Sequence, residues 1–337
     1  MNNDEILKSI IDSAYEHNIL FSAMIELNST CNWRCKHCYI SSHTNPGLSK
    51  GTVLRLLNEL RQLGCYELTL TGGEIFCRKD IMEIIRASRT LGFNVILFTN
   101  MSLLNRQIIK EIANLHVSLL SCTLFSLDDS THDSITGVSG SLREAMGNIQ
   151  AARSMNIEVE VKCIVMQDNI NALLPLADYC SKNGFIFKPD MSIFSRIDGD
   201  VSNQCVSLSV EQMQDVISFV DGAVGYESRE RTSDEYMCPQ FRYSLSIDYN
   251  GNVNPCNRIP MSMGNINEKS LYDIWNNSPE LSYMKQIKWK NLPECWGCEN
   301  ITYCVRCAGS ALLEDGSLIG KSSLACSIAM ARRSQYD

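Results

Sequence analysis

The chain lacks a long apolar run, an export signal and an excess of basic residues. No hydrophobic stretch reaches the roughly 20 residues that cross a bilayer, and the N-terminus, Met1-Asn-Asn-Asp-Glu5, has neither the basic nor the apolar region of a signal peptide. The net charge of −8 argues against nucleic acid or an anionic membrane as the main partner. The sequence predicts a cytoplasmic globular protein, whose 337 residues allow one large domain plus a smaller one.

Cysteine, by contrast, is abundant. Sixteen cysteines without an export signal point away from disulfides and toward metal or redox chemistry in a reducing compartment. Ten of them stand at regular spacings. The other six are expected mostly to pack as small apolar residues, namely Cys65, Cys77, Cys122, Cys163, Cys180 and Cys205.

The first cysteine group has the spacing C-x3-C-x2-C and consists of Cys31, Cys35 and Cys38. It directly follows an apolar run, residues 21–27, which reads as a strand. Three thiolates on one short loop can hold three corners of a cubic iron–sulfur cluster and leave the fourth iron free for a ligand. The spacing alone would also suit a zinc loop or arise by chance, so the interpretation depends on the motifs farther along the chain.

Six β-rich apolar runs alternate with five segments of helical periodicity, after an amphipathic stretch, Asp4–Glu16, that predicts a short helix. The predicted strands are Phe21–Asn28, Glu67–Thr71, Asn94–Thr99, Leu119–Leu127, Glu158–Met166 and Phe185–Ile193. The predicted helices are Thr52–Leu63, Asp80–Leu91, Arg106–Leu115, Leu142–Ala152 and Ile170–Lys182. This alternation predicts an α/β fold with a parallel sheet, either partly closed into a barrel or open.

Polar residues follow the strands, where parallel α/β folds assemble their active sites. Examples are Thr71-Gly72-Gly73-Glu74, Thr99-Asn100 and Ser126-Leu127-Asp128. Gly72 and Gly73 would let the backbone approach an ammonium group, to which Glu74 adds a carboxylate. Ser126 and Asp128 could bond a carboxylate or ribose hydroxyls. The alternatives are an ordinary turn for the glycines and a helix cap for Ser126 and Asp128.

Over about residues 18–195, these features resemble radical S-adenosylmethionine (SAM) enzymes. The cysteine loop is similar to their C-x3-C-x-Φ-C motif, the Gly-Gly-Glu segment to the motif that grips the methionine amino group, and Ser126-Leu127-Asp128 to their strand-four cofactor contact. The resemblance implies a partial (β/α)6 TIM-like barrel, and a [4Fe–4S] cluster that cleaves SAM to a hydrogen-abstracting 5′-deoxyadenosyl radical. Carried over by position, it implies SAM contacts at His37, Tyr39, Gly72, Gly73, Glu74, Asn100, Ser126 and Asp128.

The last third of the chain carries seven more regularly spaced cysteines. Cys238 is followed by twelve residues, Gly251, four residues and Cys256, and a hairpin predicted over Tyr243–Val253 would bring these two cysteines together. The rest of the array is Cys295-x2-Cys298-x5-Cys304-x2-Cys307 and Cys326. A zinc site is the alternative, although seven thiolates supply neither the four ligands of one zinc ion nor the eight of two.

This array resembles the SPASM domain, a small cysteine-rich unit of β-hairpin and helices that follows the core of many radical SAM enzymes. It departs from the family pattern only in the interval Cys304-x2-Cys307, which is usually one residue longer. The resemblance implies two auxiliary [4Fe–4S] clusters, hence three in all. Their ligands would be Cys238, Cys256 and Cys307 for the first, and Cys295, Cys298, Cys304 and Cys326 for the second. The first would have an open or non-cysteine corner, with Asp234, Glu235 or Cys205 as fallback ligands.

The expected organisation is an N-terminal helix at 1–17, a radical SAM core at 18–222 and a SPASM domain at 223–337. The resemblance implies modification of a ribosomally made peptide, with flavodoxin or ferredoxin as electron donor. About twenty residues precede the first strand, too few for a leader-binding domain. A separate protein or the SPASM surface would therefore bind the leader, or the substrate is a molecule without one.

Three alternatives stay open. The first is sulfatase-type protein maturation, although Asn257 occupies the position where such relatives place a proposed aspartate base. The second is oxidation or tailoring of a small molecule or tetrapyrrole. A non-catalytic electron carrier is disfavoured, because it has no use for Gly-Gly-Glu. No catalytic acid or base can be assigned; Asp190, Arg196 and Tyr243 lie near the expected cavity, but each is more simply structural.

Overall fold

A computed structural model describes residues 3–337, so Met1 and Asn2 of the predicted N-terminal helix lie outside the described residues. Nine strands form one sheet in the order β6-β5-β4-β3-β2-β1-β7-β8-β9. The strands are β1 Ser22–Glu26, β2 Glu67–Thr71, β3 Asn94–Phe98, β4 Leu119–Thr123, β5 Val159–Ile164, β6 Ile186–Asp190, β7 Ser244–Ile247, β8 Asn252–Asn254 and β9 Gly264–Asn265.

The six predicted core strands are all present and pair in parallel, β1 through β6, each with its neighbour in sequence. Over residues 3–337 no ladder joins β6 to β1, so the sheet curls without closing. The partial (β/α)6 barrel is therefore confirmed, and it is followed by the predicted hairpin, in which β7 and β8 run antiparallel.

Helices follow the core strands and cover the outside of the barrel. Their bounds are α1 Asn3–His17, α2 Lys50–Gln62, α3 Ile81–Thr90, α4 Arg106–Asn114, α5 Asp129–Thr136, α6 Ser141–Ser154, α7 Leu173–Asn183, α8 Val210–Val224, α9 Leu271–Asn277, α10 Pro279–Met284, α11 Ala308–Asp315 and α12 Ser323–Tyr336. Local sequence sets several starts. The Asn105 side chain accepts from the first backbone N–H groups of α4, and Ser209 with Gln212 forms a reciprocal capping box on α8. Among the described residues, no helix combines the length and apolar character needed to cross a bilayer.

The C-terminal part of the chain is joined to the barrel by its sheet and by helix packing, of which the pair α8 and α12 is the most extensive. Strand β7 pairs in parallel with β1, from Ser22 opposite Ser244 to Ile25 opposite Ile247. On the other side, α12 packs against α8, where the buried Arg332 and Asp221 side chains form an ion pair. The two parts therefore share one continuous sheet, and a large cavity lies between them.

Candidate active site

The loop that carries Cys31, Cys35 and Cys38 leaves the carboxyl end of β1. The end of α5 holds it in place, because the backbone N–H groups of Arg34 and Lys36 donate to the carbonyl oxygens of Thr136 and Ile135, at 2.8 and 3.0 Å. The Thr136 carbonyl thus serves the cysteine loop, while its fully buried side-chain hydroxyl bonds to the Ser141 hydroxyl at 2.7 Å.

The three thiols of this loop form one electrostatic group. Burial raises the pKa of Cys31 to about 12 and that of Cys35 well above its usual range, and in each case the other thiols of the loop add to the rise. Thiols so placed stay protonated unless a positive metal centre faces them. The donor set therefore fits a group that brings its own positive charge.

Cysteine thiolates bind both zinc and iron–sulfur clusters. A structural zinc site has four protein ligands, whereas a [4Fe–4S] cluster held by three cysteines leaves its fourth iron open. Three thiols on one loop therefore fit a cluster with an open corner better than a structural zinc site.

Glu74 is fully buried at the end of β2, and its carboxylate is surrounded by donors. It accepts from the Thr99 hydroxyl at 2.8 Å, the Asn100 backbone N–H at 2.6 Å and the Phe76 backbone N–H at 2.9 Å. Burial raises its pKa, while the three donors oppose the rise. In the structure, therefore, the Glu74 side chain ties the end of β2 to the end of β3.

The paired glycines are required by the protein's own backbone. Gly72 has φ +151°, and a Cβ there would collide with the Asn28 carbonyl. A Cβ on Gly73 would collide with the carbonyl oxygens of Ser29 and Thr30. Gly-Gly lets the β2 turn pack directly on the chain leaving β1, just before the cysteine loop. The two glycines are therefore more than an ordinary turn, because they allow a tertiary contact with the backbone of residues 28–30. Their contact with SAM stays a prediction.

Asn100 connects the end of β3 to the cysteine loop. Its side-chain amide donates to Asn32 Oδ1 at 2.8 Å and lies 4.0 Å from Cys31 Sγ. The side-chain oxygen of Asn100, Oδ1, accepts from the Ser102 hydroxyl at 2.8 Å. Through Asn100, the buried Glu74 carboxylate therefore sets the position of the first cysteine.

Ser126 and Asp128 begin α5. The Asp128 carboxylate accepts from the Thr131 backbone N–H at 2.8 Å, and the Ser126 hydroxyl accepts from the Asp128 backbone N–H at 2.9 Å. The helix-cap alternative is what the structure contains for Asp128. Because the end of α5 holds the cysteine loop, a cap that stabilises α5 also helps to position the three cysteines. Contact of Ser126 and Asp128 with SAM remains a prediction.

His37 and Tyr39 line one cavity on the barrel side of the loop. Burial lowers the pKa of His37 to about 4, so its ring is neutral, and it packs edge-on against Phe125 at 5.1 Å. The Tyr39 hydroxyl donates to Glu26 at 2.6 Å and accepts from the Asn257 side chain. Burial raises the pKa of Glu26 to about 7. Sequence reasoning missed Glu26, whose only signal is a carboxylate at the end of an apolar strand.

The seven C-terminal cysteines fall into two sets, the same two that the resemblance to the SPASM domain implies. Burial raises the pKa of Cys238 and Cys256; neighbouring thiols add to this, Cys307 acting on both and Cys238 on Cys256. The second set interacts in the same way. Burial raises the pKa of its thiols and neighbouring thiols raise it further, Cys326 acting on Cys304 and Cys295, and Cys298 acting on Cys326. The fold thus brings together all seven cysteines of the array in the expected groups.

The carboxylates considered as fallback ligands are engaged by basic side chains. Asp234 pairs with Lys290 at 2.7 Å and with Lys288 at 3.2 Å. Glu235 pairs with Arg231 at 3.0 Å. The third fallback, Cys205, is exposed. An open corner on the first set is therefore the simpler expectation.

Arg306 is a buried cation between the two cysteine sets that the sequence did not single out. Its guanidinium donates to the carbonyl oxygens of Leu318 at 2.6 Å and Gly320 at 2.9 Å. Its charge lowers the pKa of Cys238 in one set and of Cys295 in the other, against the larger effect of burial. It therefore favours thiolate at both sets.

A cavity of about 1170 Å³ runs from the barrel interior to the first C-terminal cysteine set, Cys238, Cys256 and Cys307. It shares lining residues with the pocket of about 220 Å³ that His37 and Tyr39 line. Asp190 faces both spaces. By contrast, Arg196 lies 3.6 Å from Asp200 in an ion pair, and the Tyr243 carbonyl accepts from the backbone of β1. Of the three acid–base candidates, Asp190 is the one that lines both spaces.

The chain matches two family models. The Radical SAM superfamily model matches residues 25–179, and the SPASM iron–sulfur cluster-binding domain model matches residues 238–299. The chain is 22% identical to the AdoMet-dependent heme synthase of Oleidesulfovibrio alaskensis, over 89% of this chain and 85% of that protein. It is 24% identical to the sporulation killing factor maturation protein SkfB of Bacillus subtilis, over 78% of this chain and 67% of SkfB.

The fold has close counterparts among solved structures. The crystal structure of Streptococcus suis SuiB bound to precursor peptide SuiA superposes with a TM-score of 0.73 at 16% identity, covering 95% of this chain and 80% of SuiB. Fold, cysteine sets and family matches agree along the whole chain. The chain is therefore a radical SAM enzyme with a C-terminal SPASM domain.

Proposed function

We propose that this enzyme modifies a ribosomally synthesised precursor peptide, forming a crosslink or another oxidised product at a C–H bond. The observation that carries the proposal is the cavity of about 1170 Å³ between barrel and SPASM domain. A cavity of that size has room for a peptide segment beside a cluster at Cys238, Cys256 and Cys307. A bound precursor peptide in SuiB and the maturation role of SkfB support the proposal.

The donor sets fit three [4Fe–4S] clusters, with the first at Cys31, Cys35 and Cys38 beside the SAM site. When bound there, cluster and SAM supply a 5′-deoxyadenosyl radical that abstracts hydrogen from substrate. This chain's residues position that site. Glu74 and Asn100 fix the cysteine loop, while His37 packs on Phe125 and helps to exclude water. The remaining SAM contacts proposed are Tyr39, Gly72, Gly73, Ser126 and Asp128.

The two auxiliary sets would carry electrons away from an oxidised substrate, and an open corner on the first could also bind substrate. Flavodoxin or ferredoxin would supply the electron that starts each turnover, and a separate protein would present the leader peptide. We place the enzyme in the cytoplasm, where a reducing environment keeps cysteines available as cluster ligands rather than as disulfides.

Tetrapyrrole modification is the second candidate. It is favoured by one observation, the similarity to AdoMet-dependent heme synthases along almost the full chain. Such a substrate would enter the same cavity and meet the same radical chemistry.

The test is turnover by anaerobically reconstituted enzyme with dithionite, SAM and either candidate precursor peptides or iron coproporphyrin. Mass spectrometry should show a peptide lighter by two hydrogens, with 5′-deoxyadenosine formed in step. The Cys35→Ala variant is the control and should form neither product. Consumption of the porphyrin with all peptides unchanged would overturn the peptide assignment in favour of the second candidate.

A further inference from the structure

Two lysines lie side by side on the inner face of the barrel. Lys162 on β5 is the register partner of Lys188 on β6, and both line the large cavity. Like charges directly opposite on one face of a sheet destabilise it. Glu160 lies 3.7 Å from the Lys162 Nζ and offsets one of the two charges in part. Over the part of the chain that the structure describes, Lys188 has no acidic partner within 4.0 Å.

A third cation reaches the same space from the SPASM domain. Arg258 stacks on Phe194, with its guanidinium carbon 3.5 Å from the ring centroid. It lines the pocket of about 220 Å³ together with Lys162, whose Nζ lies 3.3 Å from the ring centroid of Phe98. Within residues 3–337, the Arg258 guanidinium has no hydrogen-bond acceptor or ion pair. Burial lowers the pKa of Lys162 to about 8, and the charge of Arg258 contributes to this.

The cavity is basic within an acidic protein. The chain has a net charge of −8, yet seven basic and four acidic side chains line the large cavity. Four of the basic ones are closely engaged by carboxylates or backbone carbonyls, namely Arg229, Arg231, Arg306 and Arg332. Of the remaining three, Lys162 has the long 3.7 Å contact with Glu160, whereas Lys188 and Arg258 form no ion pair among the described residues. The carboxylate of Asp190 faces the same space but forms no ion pair within 4.0 Å among the described residues.

We propose that Lys162, Lys188 and Arg258 form a substrate subsite that binds a carboxylate group. An anion there would relieve the repulsion between the two lysines and give Arg258 the planar, two-oxygen partner that a guanidinium prefers. The stacked aromatic rings hold two of the three cations in place before the ligand arrives. The assignment of the carboxylate to an acidic side chain of a precursor peptide rests on the proposed function. A tetrapyrrole propionate offers the same chemistry.

The experiment compares the reconstituted enzyme with its Lys188→Met and Arg258→Gln variants, and with Lys182→Met as the matched control. Lys182 lies on α7, and its side chain is 72% exposed. Two probe pairs are titrated by calorimetry: acetyl-Gly-Glu-Gly amide with its glutamine twin, and coproporphyrin III with its tetramethyl ester. The SAM affinity of every variant is measured alongside.

Wild-type enzyme should bind the acidic member of at least one pair about tenfold tighter than its neutral twin, as a charged hydrogen bond predicts. Both cavity variants should reduce that preference to about threefold or less, while Lys182→Met retains it and SAM affinity is unchanged. Equal binding of acid and neutral twins by wild type, or an unchanged preference in both cavity variants, overturns the subsite. A loss of SAM affinity in both would also overturn it, by assigning these cations to the cofactor.

The two probe pairs separate this proposal from the proposed function. A preference confined to the porphyrin pair and abolished in the variants keeps the subsite and argues against a peptide substrate. A preference for the glutamyl peptide that the variants abolish supports both. Turnover of a peptide by variants that have kept their acid preference rejects the subsite and leaves the peptide function standing.

Discussion

Replacing Asp221 with alanine should weaken the attachment of the C-terminal helix, because the change leaves the charge of Arg332 buried without a partner. Asp221, on α8, is 1% exposed, and the Arg332 side chain, on α12, is 9% exposed. The guanidinium donates to the carboxylate through Nη2 at 2.8 Å and through Nε at 2.9 and 3.1 Å. Helix α12 also carries Cys326, so the pair bears on the second auxiliary set.

The expected cost follows from burial. Removing one member of a buried ion pair costs about 3–5 kcal/mol, mostly because the remaining charge is left desolvated. Arg332 keeps two weaker contacts, a hydrogen bond to the Tyr303 carbonyl at 3.3 Å and stacking on Tyr226 at 3.7 Å. We therefore expect the lower end, a loss of about 3 kcal/mol. The double variant Asp221→Ala/Arg332→Met should lie closer to wild type than the single one, because it removes the stranded charge as well.

Tryptophan fluorescence during anaerobic urea unfolding measures the effect. Trp275, Trp289 and Trp296 lie in the C-terminal part of the chain, so the signal reports chiefly on that part. Asp215→Ala, at an exposed position of the same helix, is the control and should change stability by less than about 0.5 kcal/mol. A loss below about 1 kcal/mol in Asp221→Ala, or a double variant no more stable than the single one, would refute the reasoning.

Three further predictions concern the site. Gly73→Ala should abolish iron binding at the first cysteine group, because its Cβ meets backbone oxygens, and iron analysis should show a loss of about four irons per chain. The control Gly222→Ala, which has open space around it, should keep the iron content of wild type. Burial raises the pKa of Glu26 from 4.5 to about 7, so its stabilising contribution is full below pH 4.5 and lost as pH rises through 7. Between pH 5 and 8, the free energy of unfolding of wild type should therefore fall by about 3 kcal/mol more than that of Glu26→Gln, as measured by urea unfolding. An equal fall in the two proteins would contradict this. Arg306→Gln should lower the midpoint potentials of both auxiliary clusters in a redox titration followed by electron paramagnetic resonance, because a buried cation favours the reduced form; unchanged potentials would be inconsistent with its position.

Periodicity predicted the six core strands because each is an apolar, β-rich run between segments of helical periodicity. The strand bounds were too long at several carboxyl ends, as at β4, which ends at Thr123 and not at Leu127. There the chain leaves the sheet for the site while Leu124 and Phe125 stay apolar and buried, so hydrophobicity alone cannot mark the boundary. Helix α5 was missed because its sequence is almost entirely polar. Its capping residue Asp128 and left-handed Gly137 were the signals that would have revealed it.

Contacts between distant segments could not be read from the sequence. The hairpin of β7 and β8 was predicted, but its parallel pairing with β1 joins residues more than 200 positions apart. The crowding at Gly73 arises for the same reason, since the backbone it meets comes from the preceding strand end. Local spacing cannot show which segments will lie together.

Cysteine spacing predicted the site best, because ligands of one cluster must be close in space and often lie close in sequence. The cations and carboxylates around the cysteines were harder to find. Glu26, Arg258 and Arg306 stand in no motif, and their roles depend on burial and on neighbours from other elements. Lys162 and Lys188 also stand in no motif, and their proximity is seen only once the strand register is known.

The central claim is that three partly buried thiols on the β1 loop hold an iron–sulfur cluster with one iron open to SAM. Oxygen-free reconstitution, followed by metal analysis and an assay for 5′-deoxyadenosine under dithionite, tests it most directly. We predict about twelve irons per chain with deoxyadenosine formed in wild type, and about eight irons with none formed in Cys35→Ala. Zinc in place of iron at Cys31, Cys35 and Cys38, with no deoxyadenosine released, would contradict the account.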